Sequence, residues 1–133
     1  ESDGSDRAKI SSVIYNRLNN PNGGTQGYLQ IDATLAYING GKVPTEADKS
    51  IDSPYNTYKY AGLPIGPICN PSPEAIHAAL YPNESYIAEK YLYFCSKDPD
   101  TGELYFSKTL EEHERATEIY APLWQAYDQQ RGL

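Results

Sequence analysis

The chain has no methionine, one tryptophan, two phenylalanines and only two cysteines in 133 residues. Two cysteines, Cys69 and Cys95, are too few for the disulfide framework of a small secreted scaffold. Their neighbours Ile68 and Phe94 suit small buried thiols, and free thiols are expected. The two histidines, His77 and His113, stand apart, without any Cys/His spacing of a zinc site, so no metal is expected. Basic residues are scarce, 11 Lys and Arg against 18 Asp and Glu, for a net charge of −7. Nucleic acid and anionic membranes are held mainly by Lys and Arg, so neither is an expected partner. No apolar run is long enough to span a bilayer, and no signal peptide is visible. Lacking an initiator methionine, the chain reads as a fragment of a longer protein.

What is abundant is tyrosine, 13 residues, with 10 prolines and 10 glycines. Tyr combines apolar area with a polar tip and fits a wet recognition surface. The densest stretch is Ser53-Pro54-Tyr55-Asn56-Thr57-Tyr58-Lys59-Tyr60-Ala61-Gly62-Leu63-Pro64-Ile65-Gly66-Pro67-Ile68. Rings, amides and hydroxyls on a backbone stiffened by Pro and Gly suit a groove for a neutral polar polymer such as a glycan. The plainer alternative is a rigid connection that uses Tyr for packing.

The length fits one domain. Helical spacing of Ala8, Ile10, Val13, Ile14 and Leu18 predicts a helix over 5–20, ended by the Asn/Pro/Gly run 19–24. Tyr28–Ile31 reads as a short strand. Asp32 is placed to cap a helix over 33–38 closed by Gly40 and Gly41, and Thr45 a short turn over 46–49. Ser72-Pro73-Glu74 predicts a helix start, with the helix stopping before Pro82. Tyr91–Lys97 and Glu103–Lys108 read as a hairpin around Asp98–Gly102. Thr109 with Glu112 forms a capping box for a last helix, which Pro122 should kink or restart near Ala121. The class is α+β, a small antiparallel sheet with packed helices in a single domain.

No phosphate loop, nucleophile elbow or Cys/His dyad is present. The chemistry left is that of carboxylates: Glu1, Asp32, Asp52 and Glu74 each lie at a predicted element boundary. A carboxylic acid serves as general acid near neutral pH only where its surroundings raise its pKa. The residues by themselves do not rank the four, and each is equally a solvated cap or surface charge.

The Tyr55-Asn56-Thr57-Tyr58 and Gly62-Leu63-Pro64 run is accompanied by four further stretches. They are Asp6–Leu18, Leu29–Tyr37, Glu74–Pro82, and Tyr91–Cys95 followed by Tyr105–His113. In that order they resemble the YceG-like endolytic murein transglycosylase family, in its C-terminal catalytic part, over nearly the whole chain. The resemblance implies an enzyme that cuts peptidoglycan glycan strands internally without a cofactor. It implies a parent with a single membrane anchor, its catalytic part on the extracellular or periplasmic face, and partners among cell-wall synthesis proteins. Glu1 matches the family's catalytic Glu, one residue closer to the Arg7-x-Lys9 helix than in some relatives. Gln30, Asn56 and Tyr58 are assigned to substrate positioning. Asp32 is assigned to orienting Gln30 or, preferably, to capping its helix, and Pro64 and Pro67 to the groove wall. Asn16 and Arg17 would buttress the site or lie on the helix surface, and His113 would pack.

Two other readings stand beside this one. A glycan-binding fragment without catalysis would use the same aromatic and amide residues and leave Glu1 idle. A pyridoxal-phosphate aminodeoxychorismate lyase, a label such proteins have carried, would need a Schiff-base lysine and a phosphate cup. None of the seven lysines lies in such a motif.

Overall fold

The computed structural model describes residues 6–130. Its helices are α1 (Arg7–Asn19), α2 (Asp32–Ile38), α3 (Pro73–Leu80), α4 (Glu84–Ala88) and α5 (Leu110–Gln130). A 3-10 turn spans Glu46–Ser50, and strands β1 (Tyr93–Asp98) and β2 (Glu103–Ser107) form an antiparallel hairpin. The chain is therefore α+β. The described residues up to Asn16 and from Pro71 onward make one unit, and Arg17–Asn70 the other.

In the first unit, α1 is tied to the segment around α4 mostly through backbone carbonyls. Ser12 Oγ donates to Asn83 O at 2.8 Å, and Asn83 N–H to Ala8 O at 3.1 Å. Asn16 Nδ2 donates to Tyr86 O and Tyr91 O at 3.0 and 2.9 Å. Asn16 is thus buried in this network and not on a helix surface. Helix α3 starts as expected, with Ser72 Oγ accepting from Ala75 N–H and Pro73 in the first turn. Asn83 caps α4 in the same way, through Tyr86 N–H, a five-residue helix too short for periodicity to announce.

The hairpin pairs Tyr93 with Ser107, Phe94 with Phe106 and Cys95 with Tyr105, with an irregularity between Ser96 and Asp98. Gly102 turns the chain at φ +77°. Two strands alone are marginal in water, and α5 covers them: His113 stacks on Tyr93 at 5.2 Å and Tyr120 meets Tyr105 at 5.8 Å. His113 packs, as expected. The buried apolar residues of this unit are Val13, Ala78, Leu92, Tyr93 and Ala116. Helix α5 runs unbroken through Pro122, so the expected restart at Ala121 is not seen. Proline forfeits one helical hydrogen bond there, which a 21-residue helix packed along the hairpin absorbs.

The second unit has few fully buried apolar side chains, Leu29 and Leu35. Thr25, Thr34, Asn56 and Thr57 are as deeply buried. Buried polar groups are costly unless they are hydrogen-bonded. Bonds within the unit engage the side chains of Thr34, Asn56 and Thr57, while the Thr25 hydroxyl is buried without a hydrogen-bond partner among the described residues. Tyr28–Ile31 is not a strand: Gln30 N–H bonds Thr57 O at 3.1 Å, but Gln30 takes φ +50° and breaks the extended path. The thiols are both free, yet Cys69 is exposed and Cys95 half-buried, against the expectation of two buried residues.

Candidate substrate surface

All five expected substrate-binding residues, Gln30, Asp32, Asn56, Tyr58 and Pro64, lie in the second unit. Two segments, Leu29–Asp32 and Asn56–Tyr58, are locked side by side. Arg17, buried to 6% exposure, donates to Leu29 O. Gln30 N–H bonds Thr57 O, and Ile31 N–H bonds Thr57 Oγ1 at 2.9 Å. Thr34 Oγ1 lies 2.9 Å from Thr57 Oγ1 and donates to Ile31 O at 2.7 Å. These bonds hold Gln30 in the left-handed region, which costs a non-glycine residue about 1–2 kcal/mol. Strain of this kind collects at functional sites.

Asp32 does not cap α2. The cap position belongs to Ile31, and Asp32 is the first helical residue. Its carboxylate still lies favourably in the first turn, but its specific partner is the Tyr58 hydroxyl, which donates at 2.5 Å. Burial, then the Asp32 carboxylate, pushes the Tyr58 phenol well above its usual range, so it stays protonated and donates. Lys49 Nζ lies 5.0 Å from the centroid of the same ring.

Asn56 is fully buried, and its amide is engaged inside its own loop. Nδ2 donates to Lys49 O and Ile51 O at 3.0 and 2.8 Å, while Oδ1 accepts from Tyr58 N–H at 2.9 Å. Its direct effect is to set the course of the chain into Tyr58.

Further along, Tyr60 donates to Asp52, with Lys59 Nζ 3.8 Å from the same carboxylate. Both lower the Asp52 pKa, the Tyr60 bond more than Lys59, which marks Asp52 as an ionised partner. Tyr55 and Tyr37 pair at 4.8 Å between ring centroids. A side chain on Gly66 would come within 3.0 Å of the Tyr55 hydroxyl, so glycine there lets the loop close on the ring. Leu63 and Ile65 stand out at 70% and 68% exposure on either side of half-buried Pro64. The face therefore offers phenol rings, hydroxyls and a proline-stiffened edge.

Of the remaining carboxylates, Glu74 lies on α3 in the first unit and Glu1 lies outside the described residues. Among the described residues no group of three or more His, Cys, Asp or Glu is placed to hold a metal ion.

The sequence pattern of the YceG-like family matches residues 1–119. The chain belongs to that family. It is 44% identical over 117 residues to the endolytic murein transglycosylase of Bacillus subtilis, covering 86% of this chain and 29% of that protein. The protein of the same name from Streptococcus pneumoniae D39 is 36% identical, over 83% of this chain and 19% of that one. A crystal structure of a yceG-like protein from Listeria monocytogenes superposes with a TM-score of 0.68 at 47% identity, over 80% of this chain and 32% of that one. The YceG-like chain thus spans less than a third of the length of these curated relatives.

Proposed function

We propose that this chain is part of a peptidoglycan lytic transglycosylase that cuts glycan strands internally, between N-acetylmuramic acid and N-acetylglucosamine. The carrying observation is 36–44% identity, over more than four-fifths of the chain, to proteins named endolytic murein transglycosylase. The tyrosine- and hydroxyl-rich face of the second unit supports it, because sugars stack on rings and need placed hydrogen-bond partners.

Glu1 is the acid and base of the reaction. Protonated, it donates to the glycosidic oxygen as the bond to the muramic anomeric carbon breaks, and an oxocarbenium-like centre develops. The resulting carboxylate takes the proton from the muramic 6-hydroxyl, whose oxygen closes on the anomeric carbon. A 1,6-anhydro ring forms, and Glu1 is left protonated for the next cycle. Water is not consumed, and a second carboxylate is not required.

Gln30, Asp32 and Tyr58 position the strand, Pro64 forms its wall, and Asn56 acts by placing Tyr58. The whole protein is membrane-anchored, with this part facing the wall and working beside synthesis proteins in wall biogenesis. Among the described residues no helix is long and apolar enough to cross a membrane.

Purified glycan strands incubated with an upstream-extended form and its Glu1→Gln variant test the proposal. Cutting by the former and binding without cutting by the latter is expected. Equal cutting by both would remove Glu1 from the mechanism. Binding without cutting by either would leave a glycan-binding module.

A further inference from the structure

Two phenols of the second unit have already spent their only proton. Tyr58 donates to Asp32 Oδ1 at 2.5 Å, and Tyr60 donates to Asp52. A phenol carries one O–H and a carboxylate none, so each pair has only lone pairs left for a ligand. The pairs differ in charge. Asp52 has Lys59 Nζ at 3.8 Å, whereas Asp32 forms no ion pair among the described residues, and its Oδ2 takes no hydrogen bond there. Lys49, over the Tyr58 ring, is tied to Glu46 at 2.9 Å. Both members of the Asp32–Tyr58 pair are fixed before a ligand arrives. Asp32 follows Ile31, whose N–H and C=O are held by Thr57 and Thr34, and Asn56 Oδ1 holds the Tyr58 N–H. Burial keeps the Tyr58 phenol protonated.

We infer that Asp32 and Tyr58 accept from the nitrogen at C2 of a bound amino sugar, and that they take a de-N-acetylated residue in preference to an acetylated one. That the ligand is a sugar rests on the proposed function; which of its groups is read follows from the hydrogen-bond inventory. Sugar hydroxyls can donate or accept and adapt to either kind of partner. The N–H of an acetamido group can only donate, and it needs a fixed acceptor such as this pair. Loss of the acetyl group leaves an ammonium, which still donates and adds a positive charge. Asp32 carries the negative charge to meet it, and bonds between charged partners are the stronger ones. The Asp52–Tyr60 pair, with Lys59 beside its carboxylate, lacks this preference.

The test titrates two β-1,4-linked tetramers, one of N-acetylglucosamine and one of glucosamine, into the chain by calorimetry at mildly acidic pH and fixed ionic strength. The glucosamine tetramer should bind about fivefold tighter, a charge-assisted bond discounted for exposure. Asp32→Asn keeps an oxygen for the Tyr58 hydroxyl but turns the other position into an N–H donor. It should weaken both tetramers and erase the preference, a coupling that a merely structural role would not produce. Tyr58→Phe leaves Asp32 its charge and should weaken both alike. Glu118→Gln, the same charge change at an exposed position of α5, should keep the preference, which separates Asp32 from the attraction of the chain's net charge. Absence of binding by either tetramer, or the same preference in the chain and its Asp32→Asn variant, would overturn the assignment. Either of those results with glycan cutting by the upstream-extended form intact would remove this subsite and leave the proposed function standing. The Asp32-dependent preference without any cutting would keep the subsite and discard the reaction.

Discussion

Replacing Thr57 by valine asks whether the second unit is held by its buried hydroxyls. Thr57 is 1% exposed and Thr34 2%. Valine reproduces the shape of threonine, so no cavity opens. What disappears is the acceptor for Ile31 N–H, now 2.9 Å away, and one of two partners of Thr34 Oγ1. Thr34 keeps its bond to Ile31 O at 2.7 Å. The cost is therefore that of one orphaned backbone donor, about 1–3 kcal/mol. Thr57→Ser is the control: it keeps the oxygen and loses one methyl, about 1 kcal/mol. Urea titration should put the valine variant below the serine variant, with its midpoint about 1 M below the parent at an ordinary slope. Hydrogen exchange at the Ile31 amide should quicken in the valine variant alone. Equal midpoints for the two variants, or unchanged protection at Ile31, would refute the claim that Thr57 joins the two segments through its hydroxyl.

Three further outcomes follow from the same geometry. Asn56→Asp would aim a carboxylate at the carbonyls of Lys49 and Ile51, and a loss of about 3 kcal/mol in urea titration is expected. Gln30→Gly removes the left-handed strain and should leave stability unchanged or up to about 1 kcal/mol higher, while glycan cutting by the extended form falls. The Tyr58 phenol has a raised folded pKa, so stability is complete below the ordinary phenol value of about 10 and is lost as pH rises above it toward the folded value. Thermal melts at alkaline pH should show this loss shrinking in Tyr58→Phe.

The starts of α3 and α5 were legible because their signals are local. Ser72-Pro73 and the Thr109/Glu112 pair carry their own hydrogen-bond partners, and the structure uses both: Ser72 accepts from Ala75, and Thr109 Oγ1 from Glu112 N–H. The hairpin was legible for the same reason, as turn residues sit between two aromatic runs. Tyr28–Ile31 misled because propensity favours a strand there, whereas Arg17 and Thr57 impose a left-handed residue through bonds spanning 12 and 26 positions. The cap expected of Asp32 failed similarly, since its partner Tyr58 is 26 residues away. Nothing local marks the division of the chain, which falls within α1 between Asn16 and Arg17. The residue types of the candidate face were visible in the Ser53–Ile68 run. That Asn56 would be spent on the backbone, and that Thr34 and Thr57 would meet, depends on tertiary placement alone.

The central claim concerns the chemistry at the cut. Fragments released from purified peptidoglycan by the upstream-extended form should be weighed by mass spectrometry. Muramic ends lighter by one water than reducing ends are predicted, because the 6-hydroxyl and not water attacks the anomeric carbon. Reducing ends throughout would show hydrolysis and contradict the single-carboxylate mechanism centred on Glu1.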